Sequence, residues 1–160
     1  MPNSFYNSPA GPLFISASDS GVTEIKFVNQ TDQLTNEEAE IGAIIKDCIA
    51  QLEEYFSGHR KIFSVKLDPQ GTPFQKEVWK QLQEIPFGKT MSYLELAKLL
   101  GDAKKIRAVG GANGKNPIAI IVPCHRVIGS DGSLIGYAGG MDKKRWLLKF
   151  EGSIQPDLFP

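Results

Sequence analysis

Apolar residues near the start of the chain fall into two short groups, Leu13 to Ala17 and Val22 to Val28, the second with Val22, Ile25 and Phe27 partly alternating with polar neighbours. Such alternation marks half-buried strands, and the intervening Ser18-Asp19-Ser20-Gly21 is a turn signal, so a hairpin is predicted. Thr35-Asn36-Glu37-Glu38 has the form of a capping box. Behind it Ile41, Ile44, Ile45, Cys48, Ile49, Leu52, Tyr55 and Phe56 recur at helical spacing until Gly58, which predicts one amphipathic helix. Cys48 then lies on the buried stripe as a small core hydrophobe, and His59 is a dipole partner at the helix end or a surface residue. Ile62 to Leu67 reads as another strand, and Asp68-Pro69-Gln70-Gly71 as a boundary.

The periodicity beyond that boundary is helical. Thr72-Pro73-Phe74-Gln75 supplies a cap, a proline at the first helical position and a capping-box glutamine, with Phe74, Val78, Leu82 and Ile85 as the apolar stripe. Pro86-Phe87-Gly88 ends that helix, Ser92-Tyr93-Leu94-Glu95 opens another that runs to Leu100 and Gly101, and Asp102 caps a third to about Ala112. Two short helices around a glycine turn have the outline of a helix-turn-helix, with Lys104, Lys105 and Arg107 on the second; many helical pairs share that outline without touching DNA. The run Ile118 to Val122 reads as a short buried strand, followed directly by Pro123-Cys124-His125-Arg126-Val127. A turn at Ser130-Asp131-Gly132, the glycine-rich Gly136-Tyr137-Ala138-Gly139-Gly140 and a basic amphipathic helix from Asp142 to Glu151, with Trp146, Leu147 and Phe150 inward, complete the pattern.

Composition narrows the class. The 160 residues are 41% hydrophobic and 22% charged, enough for one ordinary domain or two small ones with buried cores. No apolar run approaches the ~20 residues that span a bilayer, and the start lacks a basic-then-apolar leader, so an unexported cytoplasmic protein without membrane partners is expected. Net charge is zero, yet residues 1–69 carry five basic against ten acidic residues, and residues 70–152 thirteen against seven. An acidic half joined to a basic half hints at a nucleic-acid-facing domain. Two cysteines and two histidines, without paired ligand spacing, give no expected metal site.

A free thiol is mostly protonated at neutral pH, so a nucleophilic Cys124 needs a base or a positive neighbour. His125 and Arg126 are adjacent in sequence. In an extended segment adjacent side chains point to opposite faces, so a water relay or a tight turn is required. On these residues alone Cys124 is either a nucleophile or a buried core thiol.

The assembled pattern resembles the O6-alkylguanine-DNA alkyltransferases. Pro123-Cys124-His125-Arg126-Val127 after Asn116-Pro117 is similar to the active-site segment of that family. So, in the same order, are Thr72-Pro73-Phe74-Gln75 with Val78-Trp79, Pro86-Phe87-Gly88 with Ser92-Tyr93, Arg107 to Ala112, and Trp146-Leu147-Leu148 with Glu151-Gly152. The resemblance runs from about residue 72 to 152. It implies an α+β chain: a small ribonuclease-H-like α/β domain over residues 1–69, a helical winged helix-turn-helix DNA-binding domain over 70–152 carrying the reactive cysteine, and a tail over 153–160.

It also implies an activity: a monomer that flips O6-alkylguanine out of double-stranded DNA and transfers the alkyl group, once and irreversibly, to Cys124, with O4-alkylthymine as a further substrate and no cofactor. By the same resemblance His125 is the base, acting through a water. Glu151 orients His125, Tyr93 gives a proton to the leaving base, and Asn116 ties the recognition helix to the active-site segment. Arg107 fills the vacated stack, with Ser92, Tyr93, Ala108, Gly110 and Arg126 at the DNA, and Val127, Tyr137, Ala138 and Gly139 form the base pocket. Ala138 stands where some relatives carry a hydroxyl residue, which bears on substrate range. Two rival classes are a winged-helix module that only senses alkylated DNA and a cysteine hydrolase; the first lacks the nucleophile, and the second needs an acyl-stabilising site.

Overall fold

The hairpin forms as expected, but a strand hidden in a polar stretch extends it. In the computed structural model, which describes residues 2–29 and 42–154, strands β1 (Asn3–Ser8), β2 (Gly11–Ala17) and β3 (Val22–Phe27) form an antiparallel sheet in the order β1-β2-β3. Pairs such as Phe5 with Phe14 and Ile15 with Ile25 set the register. Leu13, Ile15, Val22 and Ile25 are buried, and helix α1 (Ala43–Phe56) buries Ile45, Cys48, Leu52, Tyr55 and Phe56. β1 escapes the pattern because Asn3, Ser4, Asn7 and Ser8 are polar, while the Phe5 and Tyr6 rings pack against Phe14 and Phe56. Helix α1 starts after Gly42 and ends at Ser57 and Gly58, whose φ of +85° suits glycine. Thr35 to Glu38 and Ile41 lie outside the described residues.

Two predicted strands are reduced to single bridges. Of residues 62–67 only Leu67 pairs, with Val22, through Val22 N–H to the Lys66 carbonyl and Asp68 N–H to the Val22 carbonyl, both at 2.8 Å. Gly21 permits this approach: a Cβ there would sit 2.7 Å from the Leu67 backbone. Likewise Ile118 makes one parallel bridge, its neighbours closing Ile25 N–H to Pro117 O at 2.9 Å and Ala119 N–H to Ile25 O at 3.0 Å. The chain then turns instead of continuing, with Ile120 at φ +73°, rare for a β-branched residue. The run is buried as expected. Its bridge places Pro117–Ile121 with Met1–Gly71 in one unit, while Thr72–Asn116 and Val122–Pro160 form the other.

The second unit is mostly helical: α2 (Pro73–Leu82), β4 (Met91–Ser92), α3 (Tyr93–Leu99), α4 (Ile106–Gly114), β5 (Val127–Ile128) and α5 (Met141–Phe150), with 3-10 turns at Ala103–Lys105 and Cys124–Arg126. Both capping boxes form, Thr72 with Gln75 and Ser92 with Glu95. Asp102 accepts the Lys104 N–H, capping the turn that leads into α4. Val78, Trp79, Leu82, Leu96, Val109, Leu147 and Leu148 make the core, and Trp79 Nε1 donates to the Ala112 carbonyl at 2.8 Å. In α5 the inward stripe is Lys144, Leu147 and Leu148, whereas Trp146 and Phe150 are half-buried and stack on each other at 5.2 Å. No helix among the described residues is long and apolar enough to cross a membrane.

Candidate active site

The parallel pair β4–β5, with Ser92 opposite Ile128, sets the start of α3 beside the segment that leaves the Cys124 turn. That turn is a 3-10 helix, Cys124 N–H donating to Val122 O at 2.8 Å and Arg126 N–H to Pro123 O at 3.0 Å. Adjacent side chains are therefore not forced to opposite faces, as they are in a strand. Cys124, His125 and Arg126 are all buried.

His125 Nε2 lies 2.9 Å from Glu151 Oε2, both side chains fully buried. The same carboxylate accepts Arg126 Nε at 2.8 Å and Nη2 at 2.9 Å, a two-pronged grip. Arg126 Nη1 donates to the Ile85 carbonyl at 2.6 Å, and the guanidinium lies over the Phe87 ring. The sequence reading set Arg126 at the DNA; the structure instead buries it, with Nε, Nη1 and Nη2 each donating inside the unit. The pattern of bonds holds the Glu151 carboxyl down at about 2 despite its burial. Burial is the largest influence on His125 and lowers its pKa, with Arg126 and Lys144 acting the same way and Glu151 in opposition. A neutral ring that donates its Nε2–H to Glu151 carries its lone pair at Nδ1, which has no hydrogen-bond partner among the described residues.

Burial raises the Cys124 pKa, opposed by a hydrogen bond from Asn116 and by the Lys144 charge, so the resting group is a thiol. Asn116 also donates to Val122 O at 2.7 Å, linking the end of α4 to the turn. Lys144 was not foreseen. Its fully buried Nζ donates to the carbonyls of Val127 at 2.6 Å, Ile135 at 2.9 Å and Gly136 at 3.3 Å, and burial lowers its pKa to about 8. Asn113, also unforeseen, is buried with Nδ2 3.5 Å from the Cys124 carbonyl. Both lay in the helical periodicity: Lys144 precedes Leu147 and Leu148 by one turn, and Asn113 follows Val109 by one.

Tyr93 Oη donates to the Ile135 carbonyl at 3.0 Å, and burial, then the neighbouring Cys124, raise its pKa. Tyr93, Ile106, Arg107, Gly110, Ile135 and Gly136 line a cavity of about 400 Å³. Arg107 and Ala108 are exposed on α4 and Gly110 is half-buried. Ser92 is buried and its hydroxyl accepts the Glu95 N–H, capping α3. Val127 is buried, the Tyr137 hydroxyl is buried and its pKa is raised by that burial first and then by Cys124 and Glu151, Ala138 is exposed, and Gly139 is half-buried. Cys48 has no such surroundings; burial and Asp47 push it up to about 12.

Comparison with known proteins matches residues 73–153 to the family domain described as 6-O-methylguanine DNA methyltransferase, DNA binding domain, and residues 1–69 to its ribonuclease-like domain. The methylated-DNA--protein-cysteine methyltransferase of Methanosarcina acetivorans is 48% identical over 150 residues, covering 92% of this chain and 96% of the relative. The protein of that name from Mycobacterium tuberculosis is 47% identical over 152 residues, covering 94% of this chain and 92% of the relative. Among solved structures, Mycobacterium tuberculosis OGT in complex with DNA superposes with a TM-score of 0.85 at 46% identity, covering 96% of this chain and 94% of that one.

Proposed function

This chain belongs to the 6-O-methylguanine DNA methyltransferase family, and from that premise we propose that it repairs DNA by moving the alkyl group of O6-alkylguanine onto its own Cys124. The observation that carries the assignment is the buried His125–Glu151 pair at 2.9 Å, which leaves a free Nδ1 on the residue next to the thiol.

His125 Nδ1 takes the Cys124 proton through a bridging water, since no direct bond joins the two side chains among the described residues. Glu151 fixes the ring and stabilises the cation that forms. The thiolate attacks the alkyl carbon, the S–C bond forms as the C–O6 bond breaks, and the electron pair leaves with the guanine. Tyr93 donates a proton to that base, and the proton taken from the thiol restores the balance. The attacked carbon is saturated, so no oxyanion hole is needed. The product thioether is stable, which makes the protein act once.

O6 is hidden in a stacked duplex, so the base must be flipped out at a cost of a few kcal/mol. Exposed Arg107, on the rim of the cavity with Gly110, is suited to fill the gap, with Ala108 beside it on α4 facing the minor groove. The cavity between α3, α4 and residues 135–136 receives the base, and the family resemblance adds Val127, Tyr137, Ala138 and Gly139 to the pocket. O4-alkylthymine is the further substrate of the same pocket. The protein acts as a cytoplasmic monomer on double-stranded DNA.

Incubation with a duplex containing O6-methylguanine, followed by peptide mass spectrometry, tests the reading. One methyl group on the Cys124 peptide, saturating at one equivalent, is the expected result. Continued turnover under excess substrate, or methyl on Cys48, would refute it.

A further inference from the structure

Ile135 presents an exposed aliphatic side chain on a backbone that is held fast. Its surface is 53% exposed, yet its carbonyl accepts both the Tyr93 hydroxyl at 3.0 Å and the Lys144 ammonium at 2.9 Å. The next carbonyl, that of Gly136, takes the same ammonium at 3.3 Å. The side chain is braced as well. Its Cδ1 leans on Gly129, where an added Cβ would sit only 3.1 Å away, and Gly129 N–H closes the turn on Ser133 O at 2.8 Å. Single apolar side chains are commonplace on surfaces, but this one has a companion: Ile106, also exposed, lines the same cavity from α4.

Charge identifies what covers the pair. Exposed Lys104, Lys105 and Arg107 surround Ile106, so the partner must be polyanionic outside and offer apolar faces within. A DNA duplex opened from its groove has that character, phosphates at the edge and base faces inside, and minor-groove proteins drive isoleucine and similar side chains between its base steps. The Tyr93 ring stands between the two cavity walls: its hydroxyl bonds with Ile135 O, and a Cβ on Gly110 of α4 would meet the ring at 3.9 Å. Arg107 and Ile135 therefore belong to different walls. Resting on the alkyl-transfer reading above, we propose that Ile135 is a second wedge in the duplex. While Arg107 fills the gap left by the extruded nucleotide, Ile135 packs on the face of a base that stays in the helix beside that gap and keeps it unstacked. A side chain already braced loses little conformational freedom on insertion.

The test compares single-turnover methyl transfer to Cys124 from O6-methylguanine in a duplex and in a single strand of the same sequence, which has no intact stack to open. Ile135→Ser should lower the duplex-to-single-strand rate ratio by on the order of fivefold, the effect of leaving about half an isoleucine side chain uncovered. Ile135→Leu should keep the ratio near wild type. Because each ratio is taken within one protein, loss of folded material cancels, as does any change in the cavity wall that affects both substrates. A second measurement places 2-aminopurine beside the lesion, on each side in turn, and uses the Cys124→Ser background so that the complex persists unreacted. Its fluorescence should rise on binding as the stack opens, and Ile135→Ser should cut that rise on one side. Either an unchanged ratio or an unchanged rise would overturn the wedge. A loss that depends on protein concentration would assign the patch to contact between copies of the chain and overturn it too. Failure of wild-type protein to take methyl on Cys124 from either substrate would instead overturn the underlying reading.

Discussion

Tyr93 and Lys144 share one acceptor, the Ile135 carbonyl, which receives the phenol at 3.0 Å and the ammonium at 2.9 Å. The lysine reaches Val127 O and Gly136 O as well. One buried cation therefore fastens the residue after the Cys124 turn to the cavity wall and, through Ile135, to the proposed proton donor. It also pulls the Cys124 pKa down.

Replacing Lys144 with Met is expected to slow methyl transfer at neutral pH, because the thiolate loses a stabilising charge and three carbonyls lose their donor. The wild-type ammonium itself sheds its proton near pH 8. The ratio of wild-type to variant rate should thus shrink as pH rises from 7 to 9. A ratio that stays constant over that range would rule out the charge as its cause.

Arg126 is buried against Glu151, so its replacement is a stability change before it is a binding change. Breaking a buried ion pair from one side typically costs ~3–5 kcal/mol, and Arg126→Met should lower the urea midpoint by a corresponding amount. Among molecules that remain folded, the salt dependence of DNA binding should keep its slope, since no phosphate contact is lost. A shallower slope would return Arg126 to the DNA surface.

Glu151 ties stability to acid. Its carboxyl is held at about 2 in the folded protein against 4.5 normally. A depressed carboxylate contributes stability that is complete above the ordinary pKa and is lost as pH falls toward the folded one. The window is therefore about pH 4.5 down to 2, and the contribution is at most roughly 3 kcal/mol. Glu151→Gln should flatten the stability curve across that window; a curve as steep as wild type would place the acid sensitivity elsewhere.

Arg107→Ala should slow repair of duplex O6-methylguanine far more than reaction with the free base O6-benzylguanine, because only the duplex has a stacking gap to fill. Equal losses on both, measured as second-order rates, would remove the intercalating role. Tyr93→Phe should slow both.

The parts legible in the sequence are those governed by local rules. Thr72 with Gln75 and Ser92 with Glu95 form capping boxes because that chemistry spans four residues, and the α3–α4 pair follows. The family resemblance supplied Cys124, His125 and Glu151. Charge misled where burial reversed its meaning: Arg126 and Lys144 look like surface cations until Glu151 and three carbonyls are seen around them. Asn113 looks like an ordinary helix residue in sequence, since only the fold brings it beside the Cys124 carbonyl. Residues 62–67 and 118–122 resemble strands in sequence because they are short apolar runs. Whether such a run pairs along its length is decided by distant partners, here Val22 and Ile25, and each accepts one bridge only.

Those bridges also dictate an order of assembly during synthesis. Both lie on β3, at Val22 and Ile25, and the second closes a loop of roughly ninety residues, a long-range contact that forms late. The N-terminal sheet is therefore left with an unfilled edge position until the ribosome has made Ile118, by which time helices α2 to α4 already exist as chain. A recombinant piece ending at residue 71 lacks the segment that occupies Ile25, and one beginning at residue 72 carries that segment without its partner. The two family domains are contiguous in name but interleaved in chain, so neither is a clean unit for genetic shuffling, and the nucleophile is translated six residues after Ile118, whose bridge completes the first.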